Sequence, residues 1–145
     1  MHDLGKIAID DLILRKPGRF NPDEFNAMKT HAEKGAAIVE NLLSTIEEPY
    51  FVNIAKNVAN YHHERYDGSG YPRGLKGDEI PLEARIMAVA DVYDALVSRR
   101  CYKDSMSFDE AFRIIVESMG THFDPKLQTA FINCSPRLEA FYKQE

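Results

Sequence analysis

Signals for the start of a helix recur along this chain, and no stretch alternates polar and apolar residues with a period of two. Residues 21–24 (NPDE) combine an N-cap, a proline at the first helical position and a carboxylate at N3. Residues 30–33 and 107–110 repeat the spacing of a capping box. Because half-buried strands show period-two alternation, the sequence predicts an all-α fold, a bundle of about six or seven helices.

Four segments carry more detailed expectations. A helix is predicted from about residue 50 to residue 63, and the turn-rich stretch over 65–80 that follows cannot be a helix interior. Pro81 then opens the most regular helix of the chain. A short helix is predicted from Asp124 to about residue 133, with one more helix after Pro136. The apolar stripe after Pro81 is expected to be buried and consists of Leu82, Ile86, Val89, Tyr93 and Leu96.

Length, charge and composition exclude several classes of protein. The 145 residues suit one domain that spans 1–145. A net charge of −5 argues against binding to a DNA or RNA duplex. The sequence predicts no membrane segment and no signal peptide, so we expect a cytoplasmic location. Cys101 and Cys134 are too few for a disulfide scaffold and are expected to be buried thiols.

Histidines and aspartates supply the main chemical signal. Imidazole and carboxylate together suit iron, manganese, zinc or nickel, and the absence of thiolate ligands argues against a structural zinc site. Neighbouring histidines on a helix point about 100° apart, so an adjacent pair serves one centre only at a helix end or in a broad multi-metal site. A single histidine is more often structural, and His122 is interpreted in that way. The candidate metal ligands are His2, Asp3, His31, His62, His63 and Asp91.

Five short blocks resemble, in order, those of a known family. Residues 2–6 (HDLGK) match the HD-x-GK signature of HD phosphohydrolases, and residues 29–31 (KTH) with Gly35 match the next block of their HD-GYP branch. Residues 62–72 (HHERYDGSGYP) match the defining motif of that branch. Residues 82–95 and 121–125 (THFDP) match the last two blocks. The chain therefore resembles the HD-GYP family from residue 1 to about residue 131.

The resemblance implies a fold and a metal centre. The fold would be a single HD-GYP domain over 1–145, truncated at its N-terminus and with the first helix of the bundle largely missing. Asp3 would bridge two divalent ions, with His31, His62 and His63 on one ion and His2 and Asp91 on the other. A histidine that family members supply from a preceding helix has no counterpart here. The expected metal is iron or manganese, with nickel and zinc as alternatives.

The resemblance also implies an activity. The expected reaction is hydrolysis of cyclic di-GMP to linear pGpG, and on to GMP, by a hydroxide that bridges the two ions. Asp3 and Lys6 would be catalytic, with Lys6 neutralising charge on the phosphate. Family members often follow a receiver or sensor domain, and a homodimer is a further expectation. The residues expected to bind substrate are Gly70, Tyr71, Pro72, Asp94, Arg100 and Lys103.

Two other functions stay open at this point. The missing upstream ligand motivates a catalytically impaired module that binds cyclic di-GMP without cleaving it. A general HD nucleotide phosphohydrolase is the second alternative, and the intact Gly-Tyr-Pro string argues against it. Tight binding without product would favour the first, and a preference for mononucleotides would favour the second.

Overall fold

Helices make up the regular structure of residues 1–98 and 106–143, which are the residues that this computed structural model describes. No strand occurs among these residues, so the predicted all-α fold is confirmed. None of the described helices is long and apolar enough to cross a membrane. Short 3₁₀ helices cover Leu4–Ala8, Gly77–Glu79 and Pro125–Leu127. The α-helices are α1 (Asp11–Leu14), α2 (Pro22–Lys29), α3 (His31–Leu42), α4 (Pro49–Tyr61), α5 (Leu82–Val97), α6 (Phe108–Glu117) and α7 (Gln128–Tyr142).

Side-chain caps begin two of these helices as predicted. In α2 the Asn21 side chain accepts a hydrogen bond from the backbone N–H of Glu24, and the Glu24 carboxylate accepts one from the N–H of Asn21, both at 2.8 Å. Ser107 and Glu110 form the same reciprocal cap on α6. The predicted box at Thr30 is wrong. Its backbone is already helical between α2 and α3, and its hydroxyl donates instead to the Ala27 carbonyl at 2.7 Å.

Small residues decide which face of α5 is buried. Ala84 and Ala88 are buried near the start of this helix, which packs against α4 and α6. Leu82 and Ile86 therefore point away from the core, and each is 50% exposed. The predicted stripe is thus wrong over the first half of α5. It holds at Val89 and Tyr93, which are buried in a cluster with residues of α6 and α7.

The C-terminal helix continues through a proline. Pro136 lies inside α7, so the prediction of one helix ending near residue 133 and another after Pro136 is wrong. Pro136 lacks the N–H that would bond to the carbonyl of Ile132, and the Ser135 hydroxyl donates to that carbonyl instead, at 2.9 Å. Cys134 on this helix is exposed, contrary to the expected buried thiol, and Cys101 lies outside the described residues.

The turn-rich stretch after α4 folds as a loop, as predicted, and it is attached to a second loop. The backbone N–H of Tyr66 donates to the His122 carbonyl at 3.0 Å, and that of Asp67 donates to the Thr121 carbonyl at 2.9 Å. The second loop is held to α5 by Arg85, whose guanidinium lies 2.6 Å from the buried carboxylate of Asp124. The segment that follows His62 and His63 is thereby linked to the longest helix.

Candidate metal centre

Three ends of helices bring the predicted ligands together. Asp3 precedes the 3₁₀ helix Leu4–Ala8, and His31 is the first residue of α3. His62 caps the C-terminus of α4, and His63 follows it outside the helix. This helix end lets two neighbouring histidines face one centre. Gly5 allows the close approach of Asp3 to α3, because a Cβ atom at residue 5 would overlap the His31 carbonyl.

One aspartate and three histidines form a compact group. Potential ligand atoms of Asp3, His31, His62 and His63 all lie within 4.8 Å of one another. The Asp3 Oδ1 atom is 3.6 Å from Nε2 of His31 and 4.0 Å from Nε2 of His62. His31 and His62 are buried, whereas Asp3 and His63 are partly exposed. The group is therefore shielded on the side of His31 and His62 and accessible on the sides of Asp3 and His63.

The Nε2 atoms of His31 and His62 are arranged to bind a cation. The Nδ1 atom of His31 lies 2.7 Å from the Met28 carbonyl, and that of His62 lies 3.0 Å from the carbonyls of Val58 and Ala59. These acceptors require the proton on Nδ1, so each Nε2 presents a lone pair. The two Nε2 atoms are 3.4 Å apart. Two lone pairs at that distance repel unless a cation lies between them, and the donor set therefore fits a metal ion.

The second predicted subset lies on the other side of Asp3. His2 Nε2 is 3.4 Å from Asp3 Oδ2 and 3.5 Å from Asp91 Oδ1. Lys6 Nζ is 2.6 Å from Asp3 Oδ2. The two oxygens of Asp3 thus face different groups: Oδ1 faces His31 and His62, and Oδ2 faces His2 and Lys6. A carboxylate placed between two donor sets is the arrangement that a bridging ligand requires.

Electrostatics differ between the two sides of Asp3. Hydrogen bonds to Asp3 and Asp91 raise the pKa of His2 to about 9. Burial acts to raise the pKa of Asp3, but hydrogen bonds from His2 and Lys6 outweigh it and hold that pKa below its usual range. Burial lowers the pKa of His62 to about 4. Burial, with nearby His62 and His31, lowers the pKa of His63 to about 3. The buried imidazoles are therefore neutral at pH 7, as metal binding requires.

Acid is expected to destabilise the metal-free protein. The folded pKa values of His62, His63 and His122 are about 4, 3 and 4, against an ordinary value of 6.5. Between those values the unfolded chain binds more protons, so stability decreases as the pH falls. The raised pKa of His2 makes a contribution to stability of the opposite sign, but the three lowered pKa values outweigh it. In chelator, we expect the Tm to drop by about 5 °C or more from pH 7 to pH 5. A Tm that is equal or higher at pH 5 would contradict this sign.

The Gly-Tyr-Pro segment lies against the centre. The Tyr71 ring stacks on the His63 ring, with centroids 4.8 Å apart and an interplanar angle of 28°. Burial, with the charges of Asp3 and Asp91, raises the pKa of Tyr71, so its hydroxyl stays protonated. Gly70 makes the turn possible, because a Cβ atom at residue 70 would overlap the backbone nitrogen of Arg65.

A cavity adjoins the centre on the His63 side. Its volume is about 330 Å³, and among the described residues it is lined by one phenylalanine ring, one tyrosine ring, two imidazoles and two cationic side chains, with no carboxylate. Burial and nearby Arg65 lower the pKa of His122, which lines this cavity as well as supporting the loop through its carbonyl. Sequence reasoning did not single out Phe25, Lys29 or Arg65 for this place, since Phe25 and Lys29 lie on α2 and Arg65 lies far along the chain in the loop after α4. The cavity is lined by Phe25, Lys29, His63, Arg65, Ser69, Gly70, Tyr71 and His122.

The other residues expected to bind substrate are less closely tied to the centre. The Asp94 carboxylate accepts hydrogen bonds from the Tyr142 hydroxyl at 2.8 Å and the Ser98 hydroxyl at 3.1 Å, so it contacts α7. Arg100 and Lys103 lie outside the described residues. Pro72 follows Tyr71 in the loop. The assignment of these four residues to substrate binding stays a prediction.

The fold and the centre agree with the class to which the chain belongs. The sequence matches the model of the HD domain family over residues 1–127, so the chain is a member of that family. A "Probable cyclic di-GMP phosphodiesterase" of Vibrio cholerae is 52% identical over 133 residues, which are 91% of this chain and 30% of the relative. The "Cyclic di-GMP phosphodiesterase response regulator RpfG" of Xanthomonas campestris is 45% identical over 96% of this chain and 35% of its own length.

A third relative has a different name. The "3'3'-cGAMP-specific phosphodiesterase 2" of Vibrio cholerae is 42% identical over 88% of this chain and 23% of its own length. The chain thus spans about a third or less of these relatives. Together the matches confirm the resemblance to the HD-GYP branch.

Proposed function

We propose that the chain is a metal-dependent phosphodiesterase that hydrolyses cyclic di-GMP to linear pGpG, and further to GMP. One observation carries the proposal: Asp3 separates two sets of metal-ligand groups beside a cavity that contains cationic and aromatic side chains. The names of relatives that are 45% and 52% identical support the choice of substrate. Both alternatives raised by the sequence, a binding module and a general nucleotide phosphohydrolase, lack such support.

The residues divide into two candidate metal sites that share Asp3. His31, His62 and His63 would hold one divalent ion, and His2 and Asp91 would hold the other. Ions bound there would supply Lewis acidity, which activates water and neutralises charge on a phosphate. Iron and manganese suit the nitrogen and oxygen donors, with nickel or zinc as alternatives.

Lys6 has a role that its own contacts support. An ammonium group has three N–H donors, and Asp3 accepts from Lys6 at 2.6 Å. The side chain is 40% exposed, so its remaining donors can reach a bound phosphate. Lys6 would therefore anchor the phosphate next to Asp3 and offset the negative charge that grows there during reaction.

Loss of a cavity cation is expected to weaken substrate binding more than turnover. We predict that Lys29→Ala or Arg65→Ala raises the KM for cyclic di-GMP by about tenfold, the effect of one charge-assisted hydrogen bond, with a smaller change in kcat. Steady-state kinetics with metal-loaded protein measures both constants. Arg113→Ala is the control, because within residues 1–98 and 106–143 Arg113 pairs only with Glu117 on the exposed side of α6. Unchanged KM in both cavity variants would remove the cavity from the substrate site.

A product assay distinguishes the candidate functions. Purified chain is incubated with Mn²⁺ or Fe²⁺ and with cyclic di-GMP, 3'3'-cGAMP and nucleoside monophosphates, and the products are separated by chromatography. We expect pGpG from cyclic di-GMP as the fastest reaction. Faster cleavage of 3'3'-cGAMP would reassign the substrate to that of the 42% identical relative. Tight binding by calorimetry without product would select the binding module.

The surroundings of the domain are further proposals. A single HD-GYP domain over residues 1–145 would follow a receiver or sensor domain, and a relative named a response regulator supports the receiver. We also propose a homodimer. Light scattering during size-exclusion chromatography measures the mass of the particle, and a mass of 16.5 kDa would leave only the monomer.

A further inference from the structure

The three histidines of the centre are not held in the same way. His31 and His62 each direct Nδ1 towards backbone carbonyls, which fixes the angle of the ring. His63 has no hydrogen bond to either ring nitrogen within residues 1–98 and 106–143. An imidazole without such a bond turns about its side-chain torsions unless packing prevents it. The orientation of His63 therefore depends on the rings that pack against it.

The His63 ring contacts the rings of His62 and His31, with centroids 4.0 Å and 5.0 Å away, and both of these belong to the proposed ligand set. Stacking with Tyr71 is the ring contact that comes from outside that set. The two rings are 4.8 Å apart and nearly parallel, at 28°. The N–H of Tyr71 also donates to the His63 carbonyl at 3.2 Å, which ties the two backbones together. On the side of α2, the Phe25 ring contacts Tyr71 edge-on at 6.3 Å. The Tyr71 ring thus lies in a fixed place over one face of the imidazole.

A buried carboxylate holds the loop that carries Tyr71. Glu64 is only 2% exposed. Its Oε1 accepts a hydrogen bond from the N–H of Arg73 at 2.7 Å, and its Oε2 accepts one from the N–H of Leu75 at 3.1 Å. A buried carboxylate is stable only when such donors satisfy it. Both donors follow Tyr71 closely in the sequence. Because Glu64 directly follows His63, its two hydrogen bonds hold the end of the loop next to His63.

We propose that Glu64 is a positioning residue for the metal centre. Its carboxylate closes the loop over residues 64–75, the closed loop presses the Tyr71 ring onto His63, and the stacked ring fixes the imidazole angle that hydrogen bonds fix in His31 and His62. This inference rests on the proposed metal centre but concerns only the protein side of it. Neither Glu64 nor the ring of Tyr71 is required to touch an ion.

Three variants separate the parts of this chain of contacts. Glu64→Gln keeps the size of the side chain but places an NH₂ group against backbone N–H donors. Tyr71→Leu removes the ring, and Tyr71→Phe removes only the hydroxyl. Glu33→Gln is the matched control, because Glu33 contacts the Arg73 side chain at the exposed surface, at 3.2 Å, without bonding the loop backbone.

The first measurement is metal affinity, by calorimetry with Mn²⁺ in the absence of substrate. We expect Glu64→Gln and Tyr71→Leu to weaken binding about tenfold or more, as changes beyond the ligands themselves do. Tyr71→Phe and Glu33→Gln should bind within about twofold of the parent, by the same comparison. Far-ultraviolet circular dichroism should show equal helix content in all five proteins. Equal affinity in Glu64→Gln and the parent, or equal losses in Tyr71→Phe and Tyr71→Leu, would overturn the proposal.

A second measurement works on the metal-free protein. In imidazole-selective NMR, the Tyr71 ring current should shift the His63 ring protons, and this shift should disappear in both Glu64→Gln and Tyr71→Leu. A shift that persists in Glu64→Gln would overturn the role of Glu64 even if the chain bound no metal. Conversely, a parent that binds metal but cleaves no dinucleotide would refute the proposed function and leave this inference standing.

Discussion

Replacement of Asp3 by asparagine is expected to lower the hydrolysis of cyclic di-GMP by at least about 10³-fold, because it removes the charge that would join the two metal sites. Asparagine keeps the size of the side chain, so the fold around residue 3 should persist. Its amide nitrogen cannot bind a cation, and one side of the residue would lose its ligand. The salt bridge from Lys6 and the contact with His2 would weaken at the same time.

Metal-saturated kinetics and elemental analysis measure this effect together. We expect the Asp3→Asn protein to contain fewer ions per chain than the parent and to keep its far-ultraviolet circular dichroism. Asp10→Asn is the control, because Asp10 caps α1 through a side-chain oxygen that asparagine also has. Activity of Asp3→Asn within about tenfold of the parent would mean that residue 3 does not act as a bridging ligand.

The second large effect concerns stability. Asp124→Ala is expected to lower the free energy of unfolding by about 3–5 kcal/mol, the typical result of removing one partner from a buried ion pair. Asp124 is 1% exposed, and its partner Arg85 is 12% exposed. The substitution would leave the largely buried Arg85 guanidinium with the exposed Asp78 as its remaining ion-pair partner among the described residues. It would also remove the cap on the 3₁₀ helix Pro125–Leu127, where Asp124 accepts a hydrogen bond from the Lys126 N–H at 2.9 Å.

Urea unfolding followed by circular dichroism measures this loss. The control is Asp78→Ala, since Asp78 also contacts Arg85, at 2.7 Å, but is 63% exposed. Water screens the pair of Asp78 and Arg85, so we expect Asp78→Ala to change the urea concentration at the unfolding midpoint very little. A similar loss in both variants would show that burial of the pair is not the cause. If Asp124→Ala is too unstable to purify, Arg85→Met tests the same pair, since it removes the charge and keeps much of the apolar volume.

Local sequence signals predicted the all-α fold class and the starts of α2 and α6, because both depend on residues that are close together in the sequence. The capping boxes at Asn21 and Ser107 satisfy N–H groups within one turn, and both are present. The continuous helix through Pro136 was not predictable from the proline alone. There Ser135 accommodates the proline by a bond to the freed carbonyl. The exposed side of α5 depended on which helix packs against it, which the apolar period does not specify.

In the candidate site, too, features that depend on local sequence were predictable and features that depend on packing were not. The residue types and their order predicted the candidate ligands, four of which meet in one compact group, and the helix end at His62 explains how adjacent histidines share it. The resemblance gave no role to Glu64, whose importance comes from backbone donors nine and eleven residues later. The cavity cations Lys29 and Arg65 meet only in the folded chain. The available sign for Glu64 was its place just before a glycine-rich loop, whose backbone N–H groups need hydrogen-bond acceptors.

Anomalous diffraction from crystals grown with Mn²⁺ or Fe²⁺ shows whether Asp3 and the histidines around it hold metal ions. The prediction is a strong peak about 2.0–2.3 Å from Nε2 of His31 and of His62, with Asp3 among its ligands. A second peak should lie on the opposite side of Asp3, near His2 and Asp91. Crystals that contain metal only elsewhere, or that show no peak within bonding distance of those two nitrogens, would contradict a metal centre at Asp3.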